Sequence, residues 1–198
     1  MIPAVRSGDW IMYRPAFGKE NLFQRGILTM GSVHTHDELI GIVHCRPLIG
    51  VAEYPRFHVI PLEDRIDEFN EGKCIFTIFR WNQPNAELHF HKVMDVGIEL
   101  ASMLHLPYDL SAIRTHIRNY VRKSYFPFLP LLNNHEEAQV FCTEFCALLY
   151  KIGLVDLDNY WGEQPLIAPI HSEKLYHRGF FDVVEDYGLL KYLDMKKI

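Results

Sequence analysis

Leu39-Ile40-Gly41-Ile42-Val43 is an unbroken apolar run, the pattern of a strand buried on both faces. Working outward toward the N-terminus, Trp10-Ile11-Met12-Tyr13 is a short apolar strand entered from the turn cluster Ser7-Gly8-Asp9. Residues 15–37, which contain Pro15, Gly18 and Gly31, read mostly as loop. On the other side, Ile49-Gly50-Val51-Ala52-Glu53-Tyr54 and Arg56-Phe57-His58-Val59-Ile60 supply two more strands, and Pro61-Leu62-Glu63-Asp64 reads as a turn. Cys74-Ile75-Phe76-Thr77-Ile78-Phe79-Arg80 is rich in β-branched and aromatic residues and reads as a strand.

The second half is helical. From Lys92 to Leu104, apolar Val93, Val96, Leu100 and Leu104 recur at helical spacing, and Pro107 ends the segment. A second helix is expected from Ser111, as N-cap, to Lys123, followed by a Pro- and aromatic-rich loop over 126–130. A third covers Cys142 to Ile152, with Gly153 where a C-cap glycine belongs. Residues 156–169 read as loop, and the tail alternates short apolar clusters with charges. Strands first and helices later describe an α+β domain spanning 1–198, with an antiparallel sheet packed against helices.

At 198 residues the chain has room for one domain with a sizeable core. Hydrophobic residues make up 48% and charged residues 23%, an ordinary globular composition. The net charge of -5 gives no electrostatic footprint for nucleic acid. Arg114, Arg118, Arg122 and Lys123 do cluster, but at the spacing of one solvated helix face. No apolar run reaches the roughly 18 residues of a membrane span, and residues 1–9 lack a basic start followed by an apolar stretch. The four cysteines (Cys45, Cys74, Cys142, Cys146) are too scattered for a disulfide framework, so the expected compartment is the reducing cytoplasm. There is no Gly-x-x-x-x-Gly-Lys-Ser/Thr and no Gly-x-Gly-x-x-Gly, and no cofactor is implied.

Cys142 stands out chemically. It opens an apolar helix, where unpaired backbone N–H groups and the positive end of the helix dipole favour a thiolate and can receive an oxyanion. The same spacing also fits Cys142 and Cys146 as small core residues one turn apart. A nucleophilic thiol needs a base and a group to orient it. His34 and His36 precede the strand 39–43, and Glu53, ending the next strand, could accept a hydrogen bond from an imidazole.

Several stretches resemble, in order, the circularly permuted papain-like NlpC-type hydrolases of the YiiX-like group. Ser7-Gly8-Asp9-Trp10-Ile11 resembles their opening Gly-Asp strand, and Ile40-Gly41-Ile42-Val43 the Gly-Ile-Val of their histidine-bearing strand. Val51-Ala52-Glu53, Val59-Ile60-Pro61-Leu62 and Phe79-Arg80 resemble the strands that follow. Leu106-Pro107-Tyr108-Asp109 is similar to a Gly-x-Pro-Tyr-Asp turn, and Phe141-Cys142-Thr143-Glu144-Phe145 to the Tyr-Cys-Ser-Glu-Leu signature of the nucleophile. The resemblance implies a permuted papain-like fold, with Cys142 as nucleophile and Glu53 as third member of a Cys-His-Glu triad. The family's histidine stands two residues before the glycine, and here that position is Leu39. His36 is then the favoured base, provided a bulge re-aims the chain, and His34 is the reserve.

The activity so implied is hydrolysis of an amide or ester through a thioacyl intermediate, on a peptide, acylated amine or lipid ester, with Tyr13, Tyr108 and His34 lining the pocket. Two other readings stay open. One is a catalytically inactive binding module on the same fold. The other is a zinc hydrolase built from the His34-Thr35-His36 and His89-Phe90-His91 pairs, whose spacing on a strand would point both rings to one side.

Overall fold

The apolar runs of the first half become strands in the computed structural model, which describes residues 3–29, 31–53, 55–83, 87–105, 142–161 and 168–196. The elements in chain order are β1 (Trp10–Pro15), α1 (Leu22–Thr29), β2 (His36–Val43), β3 (Arg46–Glu53), β4 (Arg56–Pro61) and α2 (Leu62–Asn70). After them come β5 (Cys74–Trp81), α3 (Glu87–Leu104), α4 (Cys142–Ile152), α5 (Asp158–Trp161), α6 (Pro169–His177), β6 (Phe181–Tyr187) and α7 (Leu190–Met195). The strands form one antiparallel sheet in the order β4-β3-β2-β1-β5-β6. Tyr13 pairs with His36, Trp10 with Leu39, and Leu39 with Gly50, so β2 lies inside the sheet.

Strand alternation sends successive side chains into two different cores. Trp10, Met12, Leu39, Ala52, Phe57 and Phe79 lie in the core that includes Met94 and Ile98 of α3 and Phe145 and Leu149 of α4. Ile11, Ile40, Ile49, Val51, Phe76 and Ile78 turn to the other face, with Leu62 and Phe69 of α2. Burial of a side chain such as Leu39 or Phe79 stabilises the fold by about 1.5–3 kcal/mol. Gly41 and Gly50 let α3 come close to the sheet: an added Cβ would stand 3.1 Å from Ile98 at either position. Asp95 fastens the same helix, accepting from the Ile42 amide at 2.7 Å and from Ser7 Oγ at 2.6 Å.

Several boundaries differ from the sequence reading. Residues 15–37 are not all loop, because Leu22–Thr29 is helical. Pro61-Leu62-Glu63-Asp64 opens α2 rather than making a turn. Pro61 is its N-cap residue, Glu63 and Asp64 sit in the first turn where acidic groups favour the helix dipole, and Leu62, Ile66 and Phe69 recur at helical spacing. The helix expected from Lys92 already begins at Glu87, and a short turn of helix interrupts the 156–169 loop. The tail supplies a sixth strand between two helices. The expected helix 111–123, the turn at 106–109 and the loop 126–130 lie outside the described residues. No helix among the described residues is long and apolar enough to cross a membrane.

Candidate active site

β2 begins at His36, so its alternation governs His36, Asp37 and Glu38 but does not extend back to His34. Asp37 faces the α3–α4 side, where it accepts from Trp10 Nε1 at 2.7 Å. The chain before β2 turns, bringing Ser32 Oγ within 2.7 Å of the His34 carbonyl, and the His34 ring joins Asp37 on that side. His34 Nε2 lies 2.9 Å from Asp37 Oδ1, and its Nδ1 lies 2.9 Å from Glu173 Oε1 in α6. Glu173 also takes Ser32 Oγ at 2.6 Å and the Val33 amide at 2.5 Å, and its other oxygen takes the Lys196 ammonium. Thus α6 holds the segment that carries His34, through a carboxylate.

α4 completes the cluster. Cys142 is its first residue, as the sequence leads one to expect, and Thr143 Oγ1 donates to Asp37 Oδ2 at 2.6 Å. Ser172 Oγ lies 2.8 Å from Asp37 Oδ1 and 3.2 Å from His34 Nε2. Four donor groups, from β1, the 32–35 segment, α4 and α6, therefore converge on the Asp37 carboxylate. Cys142, Thr143, Ser172, Glu173 and His34 are all fully buried.

Charge in this cluster follows the partners. Burial alone would lower the basicity of His34, but Asp37 and Glu173 overcome it and raise its pKa to about 9, so the ring is an imidazolium at neutral pH. Glu173, despite burial, is held down at about 2 by His34, Lys196 and Ser32. The Cys142 thiol is pushed up by burial and then by the Asp37 charge. Hydrogen bonding from the Asp37 and Thr143 backbones opposes this without reversing it.

The expected Cys142–His36–Glu53 set is not brought together. His36 points to the opposite face from Asp37, with its ring 6.4 Å from that of Tyr13, because no bulge interrupts the strand at that point. Glu53 alternates with Ala52 and so shares the face of His36; it is exposed and stands 3.5 Å from His58. His36 and Glu53 thus share a face of the sheet, while Cys142 packs in the core on the other face. Tyr13, expected in the pocket, packs on that far face beneath the Arg65 guanidinium at 4.2 Å. Tyr108 lies outside the described residues. His34, the reserve base, is the histidine that shares a cluster with Thr143 and Asp37.

The far-face cluster is chemically different. Arg65 bonds Glu38 Oε1 and Glu68 Oε2, each at 2.5 Å. His36 Nε2, Glu38 Oε2 and Arg65 Nε are buried without hydrogen-bond partners among the described residues. Burial, then Arg65, lowers the His36 pKa to about 3, while burial raises Glu38 to about 7 against the pull of Arg65.

The His-x-His pairs do not form a metal centre. His89 and His91 are on helix α3 rather than a strand; His89 Nε2 lies 3.3 Å from the Ile152 carbonyl and His91 Nδ1 2.6 Å from that of Ser7. Among the described residues, no group of three or more His, Cys, Asp or Glu side chains is placed to hold a metal ion. Sequence reasoning missed Glu173, Ser172 and Lys196 altogether. No spacing signal could have found them, since Glu173 is 139 residues from His34.

No family model matches the chain, and no curated protein matches it. Among solved structures, the metalloprotein yiiX from Escherichia coli O157:H7 superposes with a TM-score of 0.56. The match covers 91% of this chain and 97% of that one at 11% identity. The chain therefore has a YiiX-like fold: helices packed on a six-stranded antiparallel sheet.

Proposed function

We propose that the chain is a cysteine-dependent acyl hydrolase of the permuted papain-like kind, with Cys142 as nucleophile and His34, not His36, as the base. Glu173 takes the orienting role expected of Glu53. The observation that carries this reading is the continuous run of contacts from Glu173 through His34 and Asp37 to Thr143, which adjoins Cys142 at the start of α4. A ring fixed at Nδ1 by a carboxylate keeps Nε2 as the atom for proton transfer, and here that atom is paired at rest with Asp37.

In the reaction the Cys142 thiol releases its proton to solvent, since His34 is already an imidazolium, and the sulfur attacks the carbonyl carbon of an amide or ester. The oxyanion is received by backbone N–H groups at the start of α4. Protonated His34 then gives its proton to the departing amine or alcohol, leaving an acyl thioester on Cys142. Water, losing a proton to His34, attacks that thioester; the acid leaves and the released thiolate regains a proton from solvent. The structural neighbour is a metalloprotein; among the described residues here, no group of three or more His, Cys, Asp or Glu side chains is placed to hold a metal ion.

A second reading, a catalytically inactive binding module, is favoured by one observation: Cys142 is fully buried with its thiol raised, and among the described residues its sulfur lies against Thr143 Oγ1 rather than hydrogen-bonded to an imidazole. Mass spectrometry of the protein quenched during turnover of activated esters separates the two. The hydrolase reading expects an acyl adduct on the Cys142 peptide that is lost in His34→Ala and kept in His36→Ala. No adduct and no turnover across amide and ester substrates would leave the binding module in its place.

A further inference from the structure

We propose that Asp37 is a positioning residue that holds Cys142 in a latent state, its carboxylate standing as the counter-ion of the His34 imidazolium where an active Cys–His pair would place the thiolate. The inference rests on Cys142 being the nucleophile, but its readout needs no turnover. In a thiolate–imidazolium pair the sulfur is the anion beside the ring. Here the anion beside His34 Nε2 is Asp37 Oδ1, at 2.9 Å. The carboxylate is held in place by Trp10 Nε1, Thr143 Oγ1 and Ser172 Oγ, from three separate elements.

The buried His34 ring already pairs with Asp37 and Glu173, and a third anion beside it would carry a large penalty, so the Asp37 carboxylate keeps the thiol protonated. Among the described residues, charged and titratable groups face the cluster from several elements. His34 faces Asp37 from the segment before β2, and Glu173 lies behind it on α6 with Lys196 beyond. Cys142 and Cys146 face Asp37 from α4, and both thiols are raised by burial first and by Asp37 next. Across the sheet, Glu38 adds a further upward push on Cys146.

The test is the alkylation rate of Cys142 against pH, read on its own peptide, in the parent and in Asp37→Asn. A second uncharged variant, Asp37→Ser, covers the case in which the amide does not fold; near-ultraviolet circular dichroism verifies the fold of each. The expected result is a parent thiol that titrates above the free-cysteine value of about 8.5, and a folded variant whose Cys142 reacts about tenfold faster at pH 7. A parent thiol titrating at or below that value, or a folded variant with an unchanged profile, overturns the inference. If the rate rises but no acyl adduct forms on any substrate, the latch stands and the hydrolase reading fails.

Discussion

The two faces of β2 carry two buried polar clusters built from neighbouring residues, and they behave in opposite ways. On the α4 side, His34, Asp37, Glu173, Ser172 and Thr143 bond one another, and His34 is driven toward the charged form. On the α2 side, His36, Glu38 and Arg65 each keep a buried atom without a partner, and His36 is driven toward the neutral form. Both histidines are buried, so burial does not decide their charge. The deciding difference is that His34 sits between two carboxylates, whereas His36 lies close to a guanidinium. Two histidines one residue apart thus have different work open to them, and only one belongs to the cluster that adjoins Cys142.

The sharpest break in this comparison should come from His34→Leu, which leaves Asp37 as a buried carboxylate without its cation and Glu173 with Lys196 alone. A loss of about 3–5 kcal/mol in urea denaturation is expected. His36→Leu should cost under about 1 kcal/mol, since an apolar group replaces a nitrogen that already lacks a partner. Equal losses in the two variants would erase the distinction between the faces.

Titration sharpens the contrast next. His34 moves from 6.5 in the unfolded chain to about 9 when folded, so its contribution is full below pH 6.5 and fades as pH rises through 9. Glu173 moves the other way, from 4.5 to about 2, so its contribution is present above pH 4.5 and is lost as pH falls through 2. Melting temperature should therefore fall between pH 7 and 9 in the parent and stay flatter in His34→Gln. Matching slopes in the two proteins would contradict the assignment. On the other face, the changes of His36 and Glu38 oppose each other between pH 4.5 and 6.5, which makes the alkaline limb the cleaner one to follow.

A smaller effect belongs to Lys196→Met. It removes the ammonium from Glu173 but leaves His34 in place, and about 1.5 kcal/mol is expected in the same denaturation experiment. The His34 titration should shift with it, because Glu173 loses one of the groups that hold it ionised. Unchanged stability and an unchanged titration would show the tail to be uncoupled from the cluster.

The sheet was largely legible in the sequence and the site only partly so. Leu39–Val43, 49–54, 56–60 and 74–80 announced themselves as strands because buried β residues are apolar and β-branched in unbroken runs. β6 was hidden, since it is an edge strand whose alternation is broken by a register shift opposite Ile78 and Phe79, and most of its side chains face outward. The N-terminal place of Cys142 could be read from the apolar spacing of its helix. The base could not. Alternation carried back from Leu39 groups His34 with His36, and only the turn at Ser32–Thr35 separates them. Glu173 was beyond reach for another reason: helix α6 carries little amphipathic pattern, and its buried glutamate answers to a loop far away in sequence.

The most direct test is ¹⁵N NMR of the histidine side chains in the unmodified protein, assigned with His34→Gln and His36→Leu. One ring should remain an imidazolium at pH 8 and vanish from the spectrum of the His34 variant. Another should remain neutral at pH 5 and vanish from that of the His36 variant. If instead His36 is the ring that stays charged, or if both titrate near the ordinary value of about 6.5, the two faces do not differ as argued and His34 loses its claim to the site.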